Sequence, residues 1–518
     1  MTDSTPVHTV FIETFGCQMN VLDSELVLGA LGRSGYAPVE DPERADLILL
    51  NTCSVRQRAE DKVYSRLGEL RRIKWRRPET ILGVIGCMAE HQAETICSRA
   101  PHVDLICGPG ELGKLVEWIE RIRGGDRPVV QVTRDGSRRR PASDRHADDE
   151  LEALDRFRRP IEGERPIQAF IRVQRGCDKF CSYCVVPFVR GPERSRPPAH
   201  IVEEARALAE SGVVQITLLG QSINSYAHAE DGRIVRLPEL LERVHRIEGI
   251  RRLRFITSFP GDFDESILRA MRDLPRVCEY LHLPVQSGSN RILAAMRRDH
   301  TVEDYLALVE RARQLIPNLS LAGDFIVGFP GETEEDFRAS CDVVRRVQYK
   351  NIFVFKYSPR PGTAAARNLP DNVPPHVKRR RNMELLAIQS EIALSHNRSL
   401  IGQCVEVLVE GPSKAATKAR RTTETTPAKR AWFENGDRHL AGTRFLGRSR
   451  GLARSQSPFS NHAAKRPTYP SPTQMTGRTR GDQIVVFEGG PDLVGNLIRV
   501  RITSATDLTL HGQVEGPE

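Results

Sequence analysis

Residues 175–191, RGCDKFCSYCVVPFVRG, place Cys177, Cys181 and Cys184 within eight positions as C-x3-C-x2-C and supply no fourth cysteine. A structural metal site is normally closed by four protein ligands, and structural zinc sites carry paired C-x2-C arms. No second arm lies near this one. Three thiolates hold a cubane 4Fe-4S cluster with one iron free of protein ligands. By the logic of open catalytic metal sites, that iron is where a substrate or cofactor binds. Iron–sulfur potentials reach down to roughly −700 mV, low enough to pass one electron to a bound sulfonium compound. The missing fourth ligand is the chemical content of the motif.

A second trio, Cys17, Cys53 and Cys87, is spread over the N-terminal region. Alone, such cysteines read equally well as small buried hydrophobes. Their surroundings are more informative. HTVFIETFG, ADLILLNTCSV and ILGVIGCMAE are short apolar runs ending in small or polar residues, and VLDSELVLGALGRSGY has the period of an amphipathic helix closed by Gly35. Residues 8–128 are therefore expected to form a Rossmann-like α/β domain with a mainly parallel sheet. Each of the three cysteines follows a strand, where such sheets collect ligands.

Residues 129–165 are charged, contain proline and are poor in apolar residues, and read as a linker. Residues 166–400 repeat a strand–helix rhythm. The strands are AFIRVQRG, VVQITLLGQ, LRFITSFP, EYLHLPVQSG, LAGDFIVGFPGE and NIFVFKYSPRPG, with helices such as AHIVEEARALAESG and TVEDYLALVERARQLI between them. Six such units predict a partial (β/α)6 barrel, too few for the closed eight-stranded form, with its site at the carboxyl ends of the strands. The three-cysteine loop follows the first of these strands. Residues 401–518 turn to short alternating strands, GQCVEVLVEGP, DQIVVFEGG and NLIRVRITSATDLTLHGQV, which predict a small β-barrel. A basic stretch at about 414–474, too poor in apolar residues to fold alone, interrupts it, so the expectation there is disorder. GRTR at 477–480 leads straight into a strand and is assigned to the barrel; GRSR at 447–450 reads as a degenerate copy.

The bulk composition narrows the class. The chain has 518 residues, 39% of them hydrophobic, which suits a multidomain protein with real cores. No apolar run approaches the roughly 18 residues that span a bilayer. The start, MTDSTPVHTVFIETFGC, has neither the basic nor the apolar region of a secretory signal, so a cytoplasmic location is expected. There, eleven cysteines point to metal ligation rather than disulfides. A net charge of +9 suits an anionic partner such as nucleic acid.

The C-x3-C-x2-C motif, with Tyr183 before its last cysteine, after the first strand of a partial barrel, resembles the radical S-adenosylmethionine (SAM) superfamily. GCQMN, DSE, NTCSV, RGCDKFCSYCVVPFVRGPERSR, LPVQSGSNRIL, GDFIVGFPGET and YSPRPGTAA together resemble the methylthiotransferases, most closely the tRNA-modifying branch of the MiaB type. The resemblance spans nearly the whole chain apart from the linker and the insertion. It implies two 4Fe-4S clusters, one on Cys177, Cys181 and Cys184 and an auxiliary one on Cys17, Cys53 and Cys87. It implies SAM as methyl donor and radical source, and a methylthio group placed at carbon 2 of an isopentenylated adenosine beside the tRNA anticodon. It also implies a TRAM-like C-terminal barrel gripping RNA phosphates, with Arg478 and Arg480 as candidate contacts, a flavodoxin- or ferredoxin-type electron donor, and a monomer. The source of the inserted sulfur is left open. Candidate SAM contacts are Tyr183 and the strand-end residues Gly220, Gln221, Gln286, Ser287 and Asp324. Ser222 and Phe259 stand where family members typically have Asn and His. The remaining cysteines, Cys97, Cys107, Cys278, Cys341 and Cys404, read as core or surface residues.

Two other functions compete. One is a methylthiotransferase for threonylcarbamoyl-adenosine in tRNA or for a ribosomal-protein aspartate; protein-modifying relatives usually carry GCPKN where this chain has GCQMN. The other is a non-catalytic RNA-binding protein with structural zinc, which has no need of a six-unit barrel.

Overall fold

The computed structural model describes residues 8–54, 57–132, 145–156, 166–417 and 473–515. They divide into two compact units at His396/Asn397, just short of the expected 400/401 boundary.

The first unit opens with a six-stranded parallel sheet: β1 (His8–Phe15), β2 (Tyr36–Pro38), β3 (Leu47–Thr52), β4 (Ile81–Gly86), β5 (Leu105–Cys107) and β6 (Val129–Gln131), in the order β2-β1-β3-β4-β5-β6. β3 and β4 are buried at every residue, so they read as unbroken apolar runs. Their side chains still alternate between two cores. Leu47 and Leu49 meet Leu22, Leu26 and Leu31 of α1 (Gln18–Arg33) on one face. Ile48 and Leu50 meet Val63, Leu67 and Leu70 of α2 (Gln57–Arg76) and Met88 and Ile96 of α3 (Cys87–Arg99) on the other. This is the flavodoxin-like version of the doubly wound sheet, and its strand order reverses between β1 and β3.

The expected linker at 129–165 is corrected in two places. Val129–Gln131 is the sixth strand of the sheet, and after α4 (Leu115–Arg123) a further helix, α5 (Arg145–Arg156), packs onto the same domain. Leu151 and Leu154 of α5, three positions apart, enter the core behind α1, and Asp155 is buried beside them. A single i, i+3 apolar pair in a charged helix is too thin a periodic signal to read from sequence. Residues 133–144 and 157–165 lie outside the described residues.

The barrel strands are β7 (Gln168–Arg172), β8 (Gln215–Leu219), β9 (Arg252–Ile256), β10 (Tyr280–His282), β11 (Ser320–Val327) and β12 (Asn351–Lys356), all parallel. Two three-stranded sheets, β9-β8-β7 and β10-β11-β12, are joined through a bridge between Leu253 and Val277. Six strands curl around one apolar core that includes Ile171, Leu218, Leu253, Leu281 and Phe325. The partial barrel is as expected.

In the second unit β13 (Cys404–Pro412), β14 (Thr473–Arg478), β15 (Ile484–Gly489), β16 (Leu497–Ala505) and β17 (Thr509–Val514) close a barrel in the order β13-β14-β15-β17-β16. Val407, Val409, Met475, Val485, Phe487, Val500, Ile502 and Leu510 fill it. Pro412 pairs with Met475, and the Ser413 amide donates to Gln474 O at 2.8 Å, so the insertion enters and leaves at the tip of one hairpin. Its residues 418–472, for which disorder is expected, lie outside the described residues. Replacing 418–472 by a short Gly/Ser linker removes no pairing of the barrel and is expected to leave the urea midpoint of this unit unchanged, as followed on the isolated transition in the full chain.

Candidate functional site

The register of the N-terminal sheet brings its three cysteines together. Phe15 pairs with Thr52 and Thr52 with Gly86, so Cys17, Cys53 and Cys87 emerge at one level from adjacent strands spaced roughly 4.8 Å apart. Cys17 caps α1, Cys53 follows β3 with its amide on Phe15 O at 2.9 Å, and Cys87 opens α3. Cys17 and Cys53 flank the β1/β3 reversal, where ligands collect in such sheets. Gly86 has φ +92, and a Cβ there would lie 2.5 Å from Asn51 Oδ1 and 2.7 Å from Thr52 O, so the turn into Cys87 needs glycine. Asn20 ties the group, its amide donating to Asn51 Oδ1 at 3.0 Å and Thr52 O at 3.2 Å while its carbonyl oxygen accepts from the Cys17 thiol at 3.4 Å.

Hydrogen bonding from Cys53 brings the Cys17 thiol down to about 6, against the effect of burial and with help from Arg190. Burial pushes the Cys87 thiol up, partly offset by Arg190, whose Nε donates to Cys87 Sγ at 3.2 Å. Among the described residues no three Cys, His, Asp or Glu side chains stand in ligating arrangement about one point. The Cys17 thiol is hydrogen-bonded by Cys53, and the Cys87 sulfur faces Arg190. The donors here are thiols only, with a buried guanidinium beside them, a set that suits an anionic iron–sulfur or zinc thiolate centre.

The barrel trio lies on the loop after β7. The Cys177 amide donates to Gly191 O at 3.1 Å, the Cys184 amide to Cys181 O at 3.0 Å, and Ser182 is fixed by Met296 O at 2.9 Å and Ala295 O at 2.8 Å. Gly176 has φ +72, and a Cβ on it would clash with Pro192 O. Burial raises the Cys177 thiol to about 11 and pushes Cys184 up as well, so both are neutral thiols in the absence of a cation, and a metal binding there would displace their protons. Arg298 places a positive charge beside this loop, with Nη1 3.6 Å from Cys181 Sγ and its guanidinium 4.2 Å from the Phe259 ring centroid. Phe259 is thus a platform for Arg298, and Asn224 holds its backbone from both sides, at 2.7 and 3.0 Å. Ser222 is buried, with its hydroxyl on Ser225.

The other sequence-predicted residues meet at the strand ends. The Gly220 amide donates to Ile256 O at 3.1 Å, closing the end of β8 on β9. Gln286, at φ +77, stitches its backbone to β11 through Asp324 O and the Ile326 amide, both at 2.9 Å. Ser287 Oγ accepts from the Ser289 amide at 3.2 Å. Asp324 Oδ1 accepts from His282 Nε2 at 3.1 Å, and His282 Nδ1 lies 3.2 Å from Thr257 Oγ1. Gln174 Nε2, Gln221 Oε1 and Ser258 Oγ are buried at the ends of β7, β8 and β9 with no partner among the described residues. Such orphaned groups at one barrel mouth fit a polar ligand. Tyr183, half-buried, packs against the apolar cluster of Ile292, Met296, Phe329 and Tyr357.

The sequence reading missed a buried ionic bridge. Asp23 of α1 accepts from Arg172 Nη1 at 2.6 Å and from Arg190 Nη2 at 2.8 Å, and Arg172 reaches Asp155 of α5 at 2.6 Å. Arg175 also pairs with Asp155. Single charged residues 149 and 167 positions apart leave no local pattern to find. In the second unit Arg478 is ion-paired to Glu410 and Asp482, both at 3.1 Å, and Arg480 is half-buried. Arg499 and Arg501 on β16 are far more exposed. Cys107, Cys278 and Cys341 are buried, while Cys97 and Cys404 are partly exposed.

Three family models match: an uncharacterised protein family, UPF0004, over residues 9–108, the radical SAM superfamily over 171–344, and the TRAM domain over 465–514. A tRNA-2-methylthio-N(6)-dimethylallyladenosine synthase of Rhodopirellula baltica is 43% identical over 98% of this chain and 96% of its own. One of Moorella thermoacetica is 40% identical over 98% of each. The chain belongs to the tRNA-2-methylthio-N(6)-dimethylallyladenosine synthase family. Among solved structures, the radical SAM methyltransferase TsrM of Kitasatospora setae, bound to tryptophan and a SAM analogue, matches 69% of this chain and 75% of its own, with a TM-score of 0.51 and 16% identity. That likeness carries the fold of this synthase-family chain and nothing more.

Two substitutions test the framework. Asp155→Asn takes the shared negative charge from buried Arg175 and leaves Arg172 with Asp23 alone, and is expected to cost roughly 3–5 kcal/mol in urea denaturation. Gly176→Ala forces a side chain into a left-handed backbone and onto Pro192, and is expected to cost roughly 1–3 kcal/mol by the same measurement.

Proposed function

We infer that this chain is a radical SAM methylthiotransferase that places a methylthio group on carbon 2 of isopentenylated adenosine in tRNA, beside the anticodon. The observation that carries the reading is the near-full-length match to synthases of that name, combined with two thiol-only trios at strand ends. When bound, two 4Fe-4S clusters and SAM would supply the electron, the radical and the methyl group.

The chain's own residues bind and orient. Cys177, Cys181 and Cys184 would hold one cluster, and Cys17, Cys53 and Cys87 would hold the other. Gly220, Gln221, Gln286, Ser287 and Asp324 line the mouth where SAM sits, with the orphaned Gln221 Oε1 as a ready acceptor. Arg298 and Arg190 lend positive charge to the two thiolate sites. An unactivated aromatic C–H bond needs a radical, and the sulfur must wait within reach of the carbon radical, because effective molarity falls steeply with misplacement.

The C-terminal barrel grips the anticodon stem-loop. Phosphate contact there falls to Arg478 and Arg480, with Arg499 and Arg501, more exposed although paired with Glu515, as further contacts. A flavodoxin- or ferredoxin-type protein delivers electrons, and the enzyme works as a cytoplasmic monomer. Among the described residues no helix is long and apolar enough to cross a membrane. A thiol-only donor set also suits zinc, which keeps a zinc-bearing RNA-binding protein as the second reading.

Iron and acid-labile sulfide per chain after anaerobic reconstitution separate these. About eight irons are expected in the wild type and about four in a Cys177/Cys181/Cys184→Ala variant, with methylthio product from isopentenylated tRNA made only by the former. Zinc in place of iron overturns the radical reading.

A further inference from the structure

Arg190 lies outside every role assigned above to a ligand or SAM contact, yet it reaches from the barrel to donate to a thiol of the N-terminal trio. It ends α6 (Val186–Arg190), the short helix that follows the barrel's cysteine loop, six residues after Cys184. Its side chain is 8% exposed. Val185 and Val189 of the same segment pack on Cys87, so the sulfur is walled by apolar groups on the side from which the guanidinium reaches it. The direction of that guanidinium is fixed. Nη2 donates to Asp23 at 2.8 Å while Nε donates to Cys87 Sγ at 3.2 Å, and Asp23 is held in turn by Arg172 at 2.6 Å.

We propose that Arg190 is a positioning residue for the N-terminal cluster, a charge-assisted donor to the sulfur of Cys87 that raises the cluster's reduction potential and ties it to the barrel's cysteine loop. This rests on the reading of Cys17, Cys53 and Cys87 as cluster ligands. A cluster on three thiolates is anionic, and adding an electron in an apolar surround costs less when a fixed cation donates to a ligand sulfur. Arg298 stands in the corresponding place for Cys181, at a longer 3.6 Å. Each trio therefore has one buried guanidinium, and both are supplied by the barrel. The N-terminal cluster takes its electrostatic partner from across the domain boundary.

The test uses the full chain with Cys177, Cys181 and Cys184 replaced by Ala, so that only the N-terminal cluster remains. Iron content and midpoint potential, the latter by EPR-monitored redox titration, are compared for this parent and for Arg190→Met and Arg190→Lys made in it. The expected result is about four irons per chain in the parent, a more negative midpoint in Arg190→Met, and an intermediate one in Arg190→Lys, which keeps the charge but not the two-pronged geometry. Loss of iron from Arg190→Met with retention in Arg190→Lys supports the same role, since only the former removes the charge. An unchanged midpoint in Arg190→Met, with iron retained, overturns the role of Arg190 and leaves the cluster assignment standing. A parent without iron overturns both.

Discussion

One buried carboxylate, Asp23, organises the catalytic half of this protein. It is fully buried and takes two arginines, Arg172 from just before the barrel's cysteine loop and Arg190 from just after it. Charges taken out of water persist only when paired and hydrogen-bonded. The arrangement is consequently stringent: α1, the helix that Cys17 caps, and both ends of the loop bearing Cys177, Cys181 and Cys184 must come together, or several charges are stranded at once. Asp155 of α5 extends the constraint by holding the other side of Arg172. A helix that looks like linker from its composition is thereby a structural part of the site.

Around that bridge the two cysteine trios arise in different ways. The N-terminal trio is made by a sheet: parallel pairing in register places residues far apart in sequence at one level on neighbouring strands. The barrel trio is made by a loop, whose three cysteines are already neighbours in sequence and need only be held in shape. Backbone hydrogen bonds to Gly191 and Met296, and a glycine at φ +72, do the holding. The N-terminal trio therefore depends on the whole domain folding, whereas the barrel trio depends on a short segment and the surface it lies on.

The C-terminal barrel obeys a separate logic. Five strands close on a small apolar core, and closure leaves no free sheet edge for an inserted segment to disturb. The long basic insertion joins two paired strands, Cys404–Pro412 and Thr473–Arg478, at their shared end. Loop closure entropy grows only slowly with length, so such an insertion is tolerated where it is placed.

Much of this was legible in the sequence. The period of the apolar residues gave the strands of both α/β regions, and six consecutive units predicted a partial barrel. The spacing of Cys177, Cys181 and Cys184 carried its chemistry locally, because a loop motif needs no long-range partner to be recognised. The strand-end positions of Cys17, Cys53 and Cys87 were readable too, because a buried parallel strand announces its own end. What tertiary structure alone decided is pairing between distant charges. Nothing near Asp23 in the chain points to Arg172 or Arg190, nothing near Cys87 points to Arg190, and the basic look of Arg478 gives no hint of Glu410 beside it. Periodicity and motif spacing record what neighbours along the chain must do together, whereas a buried ion pair is set by which surfaces meet, and that is fixed only when the domains close on one another.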